Sequence, residues 1–138
     1  MSSYCEAYND KMIFAIDTIK DMMGGMPKSI VSNAINRIKE SKTENEIGRV
    51  TTMILKRYMD LYTKIYNCFD NKKESIVVNG VKIKFDYGNK LTYICFVDNN
   101  KMFDKIIDDK VLPSDRSLHY CTCKVISWII LRDNKFFK

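Results

Sequence analysis

The stretch IYNCFDNKKESIVVNGVKIKF, residues 65–85, decides the fold, because the spacing of its apolar residues changes partway along. Ile65 and Cys68 close a heptad-like series that begins with Ile47, Val50, Ile54 and Leu61, the spacing of one helix face. Asp70-Asn71-Lys72-Lys73 breaks that series. Beyond it Val81, Ile83 and Phe85 alternate with Lys82 and Lys84, which predicts a strand with one buried and one wet face. Asn79-Gly80 accepts the positive φ angles of a type I′ turn, so residues 75–85 read as a hairpin. A link as short as Asp70 to Lys73 is no independent linker, so the 138 residues are expected to form one domain, helical in front and strand-rich behind.

Toward the N-terminus the helical spacing continues. Thr43 and Glu46 form a capping-box pair at the start of the long helix, which should run to about Phe69. Pro27 suits the first turn of a preceding helix with Ile30, Val31, Ala34, Ile35 and Ile38 inward. Residues 4–23 read as an amphipathic helix through Cys5, Tyr8, Met12, Ile16, Ile19 and Met23, stopped by Gly24-Gly25.

Toward the C-terminus, residues 86–89 make a turn, and residues 91–97 a third strand rich in β-branched and aromatic side chains. Residues 101–110 read as a short helix with Met102, Phe103, Ile106 and Ile107 inward. After Pro113 two patterns compete. Leu118, Cys121, Val125, Trp128 and Ile129 fit a helix, whereas the β-branched and aromatic run from Tyr120 to Ile130 fits a buried strand. The pattern preferred is a turn of helix and then a strand from about Cys123 to Leu131. The expected class is α+β: three N-terminal helices packed on a small antiparallel sheet, with a short helix and a C-terminal strand.

Composition agrees with a globular chain: 46% hydrophobic and 29% charged residues, with 5 Gly and 2 Pro leaving no room for a long linker. Residues 1–10 contain Glu6 and Asp10 and no apolar core, unlike a secretory leader. Apolar runs such as 129–131 fall far short of the roughly 20 residues of a membrane helix. The five cysteines are odd in number, which with no leader points to thiols in a reducing compartment. An intracellular protein, cytoplasmic or nuclear and not inserted in membrane, is therefore expected. Lys (18) outnumbers Arg (5), Ile (17) outnumbers Ala (3), and Asn stands at 11. These are AT-rich codons, so the genome is expected to be AT-rich, which admits a viral or pathogen accessory protein.

Motifs of catalysis are missing from the sequence: no HExxH, no phosphate loop, no G-x-S-x-G and no EF-hand spacing. Asp98 and Asp108-Asp109 are the nearest to an acidic cluster. The one histidine, His119, lies in His119-Tyr120-Cys121-Thr122-Cys123. On a strand His119, Cys121 and Cys123 share a face and could ligate zinc; the other reading is a packed thiol pair beside a surface histidine. The expectation is a protein that is not an enzyme and carries no cofactor.

Two surface patterns remain. Tyr58, Tyr62 and Tyr66 recur every four residues on the long helix, as interface residues or as flanks of a packing seam. The net charge of +6 is concentrated after residue 25. Arg49, Lys56, Arg57 and Lys64, extended by Lys82 and Lys84, could neutralise phosphates. Lys outnumbering Arg, and acids interrupting each run, fit a solvated surface as well. The leading expectation is an interaction protein that binds a protein partner or itself, with nucleic-acid binding second and a small enzyme or zinc protein centred on His119, Cys121 and Cys123 third.

Overall fold

The computed structural model describes residues 3–78, 80–87, 92–97, 100–106, 115–133 and 135–138. These residues form an α+β fold: three N-terminal helices, a four-stranded antiparallel sheet and a last helix. The chain divides into two compact units, one of residues 1–61 with 127–138 and one of residues 62–126.

The first unit contains α1 (Ser3–Met22), α2 (Lys28–Lys39) and most of α3 (Glu44–Asp70). Pro27 stands at the N-cap of α2, one place before the first helical turn, with φ −58° and ψ 149°. α3 opens as its sequence dictates, the Glu46 N–H donating to Thr43 Oγ1 at 3.1 Å. Glu46 Oε2 in turn accepts from the Lys42 N–H at 3.1 Å, one residue earlier than the reciprocal bond of the standard box. Ile19, Ile30, Ile38, Ile47, Val50 and Ile54 are fully buried here. The Tyr8 hydroxyl donates to the Ser41 carbonyl, fixing α1 to the turn after α2.

In the second unit α3 ends at Asp70 and the strands follow in a simple meander: β1 (Ser75–Val78), β2 (Val81–Asp86), β3 (Thr92–Val97) and β4 (Asn100–Ile106). Ile76 faces Ile83 across β1 and β2, Phe85 faces Cys95 across β2 and β3, and Val97 faces Asn100 across β3 and β4. The β3–β4 register shifts between Cys95 and Phe96. Gly80 has φ +79°, the left-handed conformation the hairpin turn requires. Ile83 and Phe85 are buried while Lys82 and Lys84 are exposed, as the alternation predicts.

Two elements differ from the sequence reading. Residues 100–106 are a strand, not part of a helix over 101–110. The free edge of β3 offers main-chain groups that β4 satisfies, and this pairing overrides the local spacing of Met102, Phe103 and Ile106. Residues 107–110 lie outside the described residues, as do Asp98, Asp108 and Asp109. The C-terminal strand is likewise replaced by a helix, α4 (Asp115–Arg132). Leu118, Cys121, Thr122, Val125, Ile126, Ile129 and Ile130 are all buried on it, so its apolar face is too broad to show amphipathic contrast. No helix among the described residues is long and apolar enough to cross a membrane.

Candidate interaction surfaces

α1 buries Ala15 and Ile19 along one side, and Met23, just past its end, is buried as well. On its opposite side stand Ile13, 59% exposed, and Phe14, 73% exposed. Asp10, Phe14, Asp17 and Asp21 follow four-three-four spacing, so they form one stripe on the helix, and all four are exposed. None of these three aspartates makes an ion pair among the described residues. A bare aromatic ring framed by carboxylates is a strong departure from a solvated helix face. The sequence held the signal: Ile13 and Phe14 fall outside the inward series from Cys5 to Met23, where bulky apolar residues have no packing role.

A groove of about 370 Å³ opens elsewhere on the same unit. Ile30 of α2, Ile130 and Leu131 of α4 and Phe137 give it apolar walls, with Asn33 and Arg37 among its polar lining. Leu131 is 61% exposed. Arg37 pairs with Glu40 at 3.7 Å. The terminal turn that completes the groove is held by Arg57, whose Nη1 donates to the carbonyls of Phe136 at 2.8 Å and Lys138 at 2.6 Å. Nothing in the local sequence announces this groove, because its walls come from segments roughly a hundred residues apart.

In the second unit the structure joins two groups that the sequence presents separately. Tyr62 and Tyr66 stack with ring centroids 5.9 Å apart. The Tyr62 hydroxyl lies 2.7 Å from His119 Nδ1, and His119 Nε2 lies 3.6 Å from Cys123 Sγ. Because α4 is a helix, His119 and Cys123 are one turn apart on one face, whereas Cys121 points about 200° away from His119 and is fully buried. The three-ligand zinc set of His119, Cys121 and Cys123 required a strand and is not formed. No three His, Cys, Asp or Glu side chains gather into a metal site among the described residues. Tyr58 is also corrected: at 2% exposure it is a core residue and offers nothing to a partner, while Tyr62 and Tyr66 are half-buried.

The basic residues do not merge into one stripe on α3. Arg49 and Lys56 occupy one row, and Arg57 and Lys64 a second row roughly 100° around the helix. All four are exposed, but Arg57 already grips the terminal turn. Lys82 and Lys84 border an open cavity of about 710 Å³ together with Glu74 and Asp86, so its charge is mixed. Nearby, burial pushes the Cys68 thiol up from its ordinary value, against the opposing pull of Lys73 and Lys64.

No family model, curated protein or solved structure matches this chain.

Proposed function

We propose that the protein is an interaction module that associates with a second copy of itself, Phe14 of one copy entering the groove of the next. The exposure of Phe14 and Ile13 on an acidic helix face carries this reading. The groove has the volume and the apolar walls to take a phenyl ring. Its surroundings complement the acidic face: Arg37 lines it, and Arg132, Lys135 and Lys138 belong to the segment that closes it, against Glu40 and Asp133. The knob and the groove occupy different surfaces, so the contact is heterologous and propagates from copy to copy.

Burying one such ring contributes about 1.5–3 kcal/mol, so Phe14→Asp should weaken association by roughly 10- to 100-fold. Sedimentation velocity across a concentration series measures this. Leu131→Asp should weaken it from the groove side. Each variant alone should associate only weakly, but an equimolar mixture retains one intact knob and one intact groove and should form a dimer that stops there. Rising salt should weaken the wild-type assembly. A wild-type chain that stays monomeric at high concentration, or a Phe14→Asp chain that assembles as before, rejects the proposal. Nucleic-acid binding has less support, since its cations are dispersed over separate rows and strands and Arg57 is already engaged.

A further inference from the structure

We infer that the outer edge of β1 docks an extended acidic peptide, one that alternates carboxylate with apolar side chains and joins the sheet as a strand beside β1. The inference is independent of the self-association proposed above, since it draws on different residues and on the other unit.

The register decides which main-chain groups are free. The sheet order is β1-β2-β3-β4, so β1 has a neighbour on one side only. The Phe85 N–H donates to the Glu74 carbonyl at 2.8 Å, which turns the main-chain groups of Glu74 toward β2. Direction alternates along an antiparallel strand, so those of Ile76 also meet β2, while the N–H and C=O of Ser75 and Val77 point to the open edge. Neither residue makes an outward hydrogen bond among the described residues. An incoming antiparallel strand closes four bonds here, two at Ser75 and two at Val77.

The side chains say what that strand carries. Ser75 lies beside Lys84 and Val77 beside Lys82, on one face of the sheet, and all four are exposed. Val77 is 60% exposed. Lys82 and Lys84 make no ion pair among the described residues. A strand beside β1 stands about 10 Å from β2, a span that a lysine and a glutamate side chain close between them. Ser75 and Val77 are short enough for the lysines to lean across. Carboxylates opposite Ser75 and Val77 therefore meet two unpaired cations. Glu74 belongs to the other face, and Asp86 lies beyond Lys84, past the end of β1. The peptide residue between the two acids falls opposite Ile76, which is half-buried beside the buried Ile83, and an apolar side chain suits it. The complement is a carboxylate–apolar–carboxylate triplet. A second copy's β1 fits worse: set antiparallel about Ile76, it brings lysine toward lysine across two small residues.

The probe is a short fluorescein-labelled peptide alternating Glu with Val, titrated by fluorescence anisotropy. It should bind saturably and more weakly as salt rises, and a Lys–Val peptide should not bind. Backbone N-methylation at the Glu residues, whose N–H groups face β1, should weaken binding by roughly tenfold or more, and N-methylation at the Val residues should not. Val77→Pro removes one outward donor at an edge position that tolerates proline, and should cost a similar factor. Lys82→Glu combined with Lys84→Glu should abolish preference for the acidic peptide. Circular dichroism checks that each variant is folded. In the unaltered chain, the peptide should slow hydrogen exchange at the Ser75 and Val77 amides. The Phe14→Asp chain should bind the peptide as the wild type does, so failure of the self-association and failure of this site are distinguishable. No saturable binding, a folded Val77→Pro chain that binds as before, or equal losses from both N-methylated peptides would each overturn the proposal. So would a single-stranded oligonucleotide that binds through Lys82 and Lys84 whether or not Val77 is proline, or a dimer of the free chain that Val77→Pro dissolves.

Discussion

Lys72 shows how much a single residue tolerates in this chain. It is held at φ 50°, in the left-handed region that glycine occupies freely and a lysine does not. The reason is the end of α3. The Lys73 N–H reaches back to the Cys68 carbonyl at 2.8 Å and the Lys72 N–H to the Phe69 carbonyl at 3.2 Å, the paired bonds of a Schellman motif. The Tyr87 hydroxyl adds to the same turn, donating within reach of the Cys68 carbonyl at 2.9 Å and the Lys73 carbonyl at 2.7 Å. Two hydrogen-bonded carbonyls thus over-determine a conformation the lysine side chain opposes. Lys72→Gly should stabilise the chain by roughly 0.5–1 kcal/mol, since relief of the left-handed strain exceeds the added entropy of the unfolded glycine. The midpoint of urea unfolding should rise with its slope unchanged.

At the scale of elements, helix ends with side-chain signals were the most legible. Thr43 does cap α3, so Thr43→Ala should lower stability by about 1 kcal/mol in the same urea experiment, while Thr43→Ser should recover most of it. The hairpin was legible for the same kind of reason, since Gly80 and the alternation of Val81 to Phe85 act locally. β4 was not, because residues 100–106 become a strand only when β3 lies beside them. α4 was not, because burial on most of its circumference removes the contrast that periodicity detects. That one error propagated into the candidate site. Reading Cys123 on a strand put Cys121 beside it, and the helix instead puts His119 there. Among the interface candidates, Tyr58 looked equivalent to Tyr62 and Tyr66 in spacing, but a row inclined to the helix axis passes from core to surface along its length.

For the whole molecule, the decisive contact is the one Arg57 makes with the carbonyls of Phe136 and Lys138. It ties the middle of α3 to a turn that also carries short local bonds, such as the Phe136 N–H to the Asp133 carbonyl at 3.0 Å. Arg57→Ala should destabilise the chain by about 1–2 kcal/mol, the order expected for hydrogen bonds from a charged donor. Hydrogen exchange should accelerate at residues 135–138 far more than in the strands, which localises the effect. Because that turn also walls the groove, the same variant should weaken self-association, whereas Lys56→Ala, on the other row of α3, should not.

The make-up of the first unit has a consequence for the order of events during synthesis. It combines residues 1–61 with residues 127–138, and everything between them belongs to the second unit. A ribosome therefore delivers α1, α2 and the start of α3 first, then the whole of the other unit, and only afterwards the segment carrying Ile129, Ile130 and Phe136. The nascent N-terminal helices must wait, with part of their apolar surface uncovered, until that segment emerges. The unit whose first residues are translated before the other is thus completed only after it.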